Sequence, residues 1–405
     1  MSNVYERLGV PTIINAKGTA TRVSGAPMPP EIAAAMQEAT QHCVEMAQLQ
    51  GRASEIIAQA TGAEAGMVTA GASAGLLLGT AACLAGLDPA RMNRLPDTAG
   101  MRDEAVVVRS QRNFYDHAVR AAGAHLVEVG LSDRFSGAGV RDAEAWEIDD
   151  AIGERTACVF YVAQPSSRPS LAAVAEVAHA KGVPVLVDAA SQLPPTRNLR
   201  RFLEEGADLV SFSGGKAILG PQGSGILCGR RDLVASALLQ NLDQDLFFEQ
   251  WRPPPALFAG VNLRGLPQHG IGRSCKVGKE QIVALLVALV RFVGEDIGER
   301  NQRCLGRLKE MKACLDPEIA RGVRIEESAN GEEPRLVLEV AARPHGPSAF
   351  DLVIALQDGS PAVHVDPSLV DDRKVVVRAL CLKEGDAPVI ARRVNEVLAR
   401  ARSAG

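Results

Sequence analysis

From about residue 52 to residue 230 the chain alternates between helical stretches and short β-branched runs. "SEIIAQATGA" reads as a helix, and "AGMVTAGASAGLLLGTAACLAG" as a strand running into another helix. "EAVVVRS", "TACVFYVAQ" and "VPVLVDAA" read as strands, separated by "DHAVRAAGAHLVEVG" and "LAAVAEVAHAKG". "GADLVSFSGGK" and "GSGILCG" close the series. Short apolar runs alternating with helices of this length build βαβ units and therefore a largely parallel sheet. This pattern most narrowly limits what the chain can become: an α/β domain with helices on both faces of the sheet.

After residue 255 the pattern changes. "KEQIVALLVALVRFVGEDIGERNQRCLGRLKEMKACL" reads as a long helical stretch, with the apolar run Ile282 to Val290 too short to span a bilayer. Strands "RLVLEVA", "VHVDPS" and "KVVVRAL" and a terminal helix follow, which suggests a smaller α+β domain. At 405 residues, two domains are the default. The expected division is an N-terminal arm, 1–51, joining the small domain, a large domain, 52–255, and a linker helix with the small domain, 256–405.

In an open α/β sheet, ligands bind beyond the carboxyl ends of the strands. Three features fall there. "VTAGASAG" places Gly71, Ala72 and Ser73 at the start of an apolar helix, where free N–H groups and a hydroxyl can cradle a phosphate. Alone, small residues at a helix start also suit plain packing. Asp188 ends the strand "VPVLVD" and could bind a metal, cap a helix or hold a protonated ring nitrogen. Lys216 follows "DLVSFS" between Gly215 and Ala217, a setting with no bulk and no acidic neighbour. A desolvated lysine has a depressed pKa and becomes a nucleophilic amine able to form a Schiff base. Together the three features match the layout of pyridoxal 5'-phosphate enzymes, with Lys216 standing 28 residues beyond Asp188. The lysine would carry the aldehyde, and the aspartate would keep the pyridine nitrogen protonated. Ser73 and Ser213, with the helix start, would hold the phosphate.

"VDAASQLPP" and "GADLVSFSGGKAILGPQGSGILCG" resemble the core of the fold-type I pyridoxal-phosphate superfamily, in its aminotransferase class V and cysteine desulfurase branch. "LGVPTIINAKGTATRVSG", "ATGAEAGMVTAGASAGLLLGTAACLAG" and "IGRSCKVGKEQIVALLVAL" resemble, more narrowly, the selenocysteine synthase-like family, which includes D-glucosaminate-6-phosphate ammonia-lyase. The resemblance implies a mainly parallel sheet of roughly seven strands sandwiched by helices. It implies that Lys216 and Asp188 are catalytic, and that Ser213, Gly71, Ala72 and Ser73 touch the cofactor phosphate. It places Gln164 near the ring oxygen, and Phe114, Tyr115 or His117 where a side chain stacks on the ring or meets the substrate. Arg378 matches an arginine that grips a substrate carboxylate, a task suited to its fork. Arg273 and Lys276 could reach a phosphate, or simply be surface charges.

Two departures bear on activity. Gly215 stands where desulfurase-like proteins carry a histidine, and there is no evident catalytic cysteine in a loop. The expected reaction is therefore α,β-elimination from a small amino acid, giving a 2-oxo acid and ammonia, on a hydroxylated or phosphorylated sugar amino acid. Aldol cleavage, racemisation and transamination are the alternatives, and transfer to aminoacyl-tRNA is a more distant one. A net charge of −4 and 4% aromatics argue against a nucleic-acid partner. The eight cysteines show no Cys/His ligand spacing, so no metal is expected, and the thiols read as reduced. The stretch "MSNVYERLGV" lacks a basic start followed by an apolar run, so a signal peptide is not expected. The expectation is a cytoplasmic homo-oligomer, at least a dimer, with no membrane partner.

Overall fold

The strands of the computed structural model, which describes residues 3–131, 142–327, 331–342 and 346–403, follow the expected series. They are β1 (Ile13–Ala16), β2 (Ala65–Thr69), β3 (Glu104–Val108), β4 (His125–Val129), β5 (Thr156–Val162) and β6 (Val185–Asp188). Beyond these come β7 (Leu209–Ser213), β8 (Gly225–Gly229), β9 (Val323–Glu326), β10 (Arg335–Glu339), β11 (Ala362–Val365) and β12 (Lys374–Arg378). The chain divides into two units, Met28–Gly294 and Met1–Pro27 with Glu295–Gly405.

The larger unit holds a seven-stranded sheet of order β2-β8-β7-β6-β5-β3-β4. Its pairings are parallel except at β8, which runs antiparallel to both β2 and β7. Strands buried on both faces need continuous apolar runs, and every residue of β2, β5 and β6 is buried, Asp188 included. Successive side chains alternate between faces. Met67, Phe160, Leu186, Leu209 and Leu227 join the cluster beneath the helix Ala72–Ala85. Phe160, Phe202 and Phe212 are among the largest fully buried side chains, each worth about 2–3 kcal/mol of apolar burial. The edge strand β2 is sealed by side chains of the helix Met46–Thr61. Gln50 bonds both Val68 N–H (3.0 Å) and Val68 C=O (2.8 Å), and Ser54 Oγ accepts from Gly66 N–H (3.0 Å). Such cover blocks edge-to-edge pairing.

Residues 28–51 and 256–294 belong to this larger unit, outside the 52–255 span expected from the sequence. The cause is packing: the helix Lys279–Gly294 lies against both Pro30–Ala39 and Met46–Thr61. The long helical stretch is also two helices, Lys279–Gly294 and Ile297–Ala313. Asp296 starts the second by accepting from Gly298 and Glu299 N–H, as an N-cap does.

The smaller unit has a three-stranded antiparallel sheet, β12-β10-β9, and a parallel pair, β1-β11. Leu308, Met311, Leu336, Leu338, Val363, Val375 and Ile390 form its core, the α+β composition expected after residue 255.

Candidate active site

Parallel pairing puts the carboxyl ends of β5, β6 and β7 at one level: Val162 faces Asp188, and Asp188 faces Ser211. The antiparallel β8 starts at that same end, with Gly225 opposite both Ser213 and Thr69. The helix start at Gly71 sits directly over this point. A Cβ on Gly225 would lie 2.4 Å from the carbonyl carbon of Gly71 and 2.6 Å from Ala72 N. Ser211 Oγ donates to Ala72 O at 2.9 Å, and Thr69 Oγ1 to Gly71 O at 2.9 Å. Gly71 itself has φ +90° and open space where a side chain would stand. Gly75 N–H is the first of the helix to find a backbone acceptor, Gly71 O at 3.2 Å. The first-turn N–H groups of Ala72 and Ser73 are thus donors at a positive helix end.

Asp188 is only 7% exposed, and its Oδ1 accepts from Ala190 N–H at 3.0 Å. Burial raises its carboxyl above the ordinary value, while the Ala190 N–H and the Lys216 charge pull it back. Lys216 shows the complementary effect. Burial lowers its ammonium below the ordinary lysine value, and Asp188 opposes the shift. Lys216 Nζ donates to Ser191 Oγ at 2.6 Å. The backbone leaves no room for a histidine before the lysine: a Cβ on Gly215 would stand 2.6 Å from Gln222 Cα.

The structure therefore brings together Gly71, Ala72, Ser73, Asp188, Ser213 and Lys216, all at one end of one sheet. Gln164 lies past β5, exposed, with its N–H donating to Ser167 Oγ at 3.1 Å. Phe114 and Tyr115 follow β3 and are 89% and 62% exposed in the single chain, and His117 is exposed too. Arg273 is already engaged, donating to Asn241 O and Asp243 Oδ2, each at 3.0 Å. Arg378 lies in the smaller unit at the end of β12. Its Nε donates to Asp366 Oδ2 at 3.0 Å, and its stem rests on Gly18.

Two contributors escaped the sequence reading. Ser191 lies 25 residues from Lys216 in a Pro-rich turn with no strand signal, so nothing local marks it. Gln111, buried after β3, accepts from Val162 N–H at 3.0 Å and so ties the ends of β3 and β5. Two buried thiols, Cys228 in the larger unit and Cys381 in the smaller, are poor nucleophiles. Burial pushes Cys228 and Cys381 each up to about 12, far from the thiolate that chemistry needs.

These donors fit pyridoxal phosphate. The space open beside Gly71 and the helix-start N–H groups suit a phosphate, Asp188 suits a pyridinium, and the amine of Lys216, its charge disfavoured by burial, suits an aldehyde. An α/β sheet of this order, with a lone desolvated lysine past β7 and a buried aspartate ending β6, defines the fold-type I pyridoxal-phosphate-dependent enzymes, and this chain is one of them.

Residues 109–242 match the aminotransferase class-V family. The chain is 28% identical to D-glucosaminate-6-phosphate ammonia lyase of Salmonella typhimurium, covering 98% of both chains. A solved structure of D-glucosaminate-6-phosphate ammonia-lyase superposes with a TM-score of 0.80 at 27% identity, over 99% of this chain and 100% of that one. The 5'-C-glycyluridine monooxygenase-decarboxylase of a Streptomyces species is 29% identical, over 97% of this chain and 92% of that one. An L-seryl-tRNA(Sec) selenium transferase of Rhizobium meliloti is 37% identical, but over only 28% of this chain and 26% of its own.

Proposed function

We propose that this enzyme is a lyase that removes the Cα proton of a phosphorylated sugar amino acid and expels its β-substituent, releasing a 2-oxo acid and ammonia. The observation that carries the reading is the end-to-end likeness to D-glucosaminate-6-phosphate ammonia lyase, in sequence and in fold. Pyridoxal phosphate, when bound, supplies an electron sink for the substrate Cα. The chain supplies the rest. Lys216 Nζ, its charge disfavoured by burial, takes the Cα proton. Ser191 Oγ fixes the direction of that amine. Asp188, buried at the end of β6, holds a proton on the ring nitrogen. The N–H groups of Ala72 and Ser73, with the Ser213 hydroxyl, hold the cofactor phosphate. Gln164 and one of Phe114, Tyr115 and His117 flank the ring, and Arg378 takes the substrate carboxylate.

The bonds balance without an oxidant. The Cα–H pair closes a Cα–Cβ double bond as the β-hydroxyl leaves with its own pair. The enamine released takes a proton and then water, and ammonia departs. The test is to supply holoenzyme with D-glucosaminate 6-phosphate, its unphosphorylated parent and serine. Equal amounts of ammonia and 2-oxo acid from the phosphorylated compound are expected; release of neither from any of the three would contradict the reading.

The Streptomyces relative favours a second reading, oxidative decarboxylation, because it matches over the same length at nearly the same identity. Oxygen uptake with carbon dioxide release, and no ammonia, would select it. We also read the working form as a cytoplasmic homo-oligomer with a small-molecule substrate. Among the described residues no helix is long and apolar enough to cross a membrane. Sedimentation of the holoenzyme as a monomer would contradict the oligomer.

A further inference from the structure

Past the end of β1 the chain makes a loop that is fixed from within. Asn15, 8% exposed, donates from Nδ2 to Gly18 O (3.0 Å) and Gly25 O (2.9 Å), and its Oδ1 accepts from Lys17 N–H (3.0 Å). One buried amide thus holds both ends of the segment 17–25. That segment carries two cations, Lys17, half-buried, and Arg22, exposed. Neither makes an ion pair among the described residues. The parallel pairing of β1 with β11 sets Asn15 against His364. The ring of His364 is half-buried, and its Nδ1 is shut from solvent with no hydrogen-bond partner among the described residues.

The local charge is one-sided. Burial, then the charges of Arg22 and Lys17, hold the imidazole below its ordinary range. The carboxylate two residues along, Asp366, is already occupied by Arg378 Nε (3.0 Å) and Ser368 N–H (3.1 Å). A half-buried cation with no counter-charge is costly, and here two cations stand on a pre-shaped loop whose anchor, Asn15, is paired with the titratable His364.

We propose that Lys17, Arg22 and His364 form an oxyanion site in the smaller unit that takes the phosphate of a phosphate monoester. Two fixed charges and a ring that can become the third match a dianion, and charge-assisted hydrogen bonds are the strong ones. Anion binding favours the imidazolium, so the site takes up a proton as it fills. The ligand class is the group that separates the proposed substrate from a plain hydroxy amino acid, but the site does not depend on that reaction.

The experiment is an NMR titration of His364 in the holoenzyme, whose cofactor phosphate is already in place. Inorganic phosphate is compared with chloride at equal ionic strength, and His364→Gln identifies the signal. Phosphate should raise the His364 pKa by about one pH unit, saturably, and more than chloride does. In the double variant Lys17→Gln/Arg22→Gln the His364 pKa should start higher, because two repelling charges are gone, and phosphate should no longer move it. Phosphate acting no differently from chloride, or the double variant responding as the wild type does, would overturn the site. These readouts need no turnover, so an enzyme inactive on sugar amino acids leaves them intact.

Discussion

At Lys216 a strong base is held where its charge is disfavoured, and only the carboxylate of Asp188 works against that. The direction of the shift sets the pH dependence. A lysine lowered below its ordinary 10.5 presents free amine at lower pH than a solvated one, so cofactor uptake by the apoprotein should rise with pH as Nζ loses its proton. Asp188→Asn removes the one charge that raises the Lys216 pKa, so the midpoint of that rise should move to lower pH. The same change should weaken catalysis by about 100-fold or more, the range of a lost proton-handling group. Stopped-flow absorbance of pyridoxal phosphate uptake against pH checks the shift; a midpoint that moves to higher pH would contradict the electrostatic account. Lys216 and Asp188 were both legible in the sequence, because each is an odd polar residue at the end of an apolar strand. Ser191 was not, because its role comes from a turn that folds back over 25 residues.

The cradle belongs to the scale of elements. Its shape depends on β8 running against its neighbours, which brings the start of β8 beneath the start of the helix Ala72–Ala85. The small residues at that helix start were visible in the sequence; the reason they must be small was not, since it lies in a pairing of residues some 150 positions apart, Thr69 with Gly225. Gly225→Ala would drive a methyl group into the Gly71 carbonyl carbon and Ala72 nitrogen, 2.4 and 2.6 Å away. Both are backbone, so the helix start must shift. The expected result is a loss of about 1–3 kcal/mol in stability by overpacking, and cofactor affinity lower by roughly tenfold or more. Denaturant melts and cofactor titration read the two effects separately. Unchanged cofactor affinity would mean that the helix start does not hold the phosphate.

At the scale of the whole molecule, the alternation of strands and helices was legible because each element carries its own period. The unit boundaries were harder to read. Residues 28–51 look like an arm in sequence, yet they pack on the helix Lys279–Gly294, which lies more than 200 residues away and belongs to the same unit. The break after Gly294 was hidden within a stretch helical on both sides, marked only by the cap at Asp296. The function proposed for the whole chain still converges on a single nitrogen atom. The most direct test is therefore to reduce the purified holoenzyme with borohydride and map the modified peptide by mass spectrometry. The account predicts one pyridoxyl group per chain, fixed to Lys216. A protein that turns over substrate yet carries the label on another residue, or carries none, would contradict it.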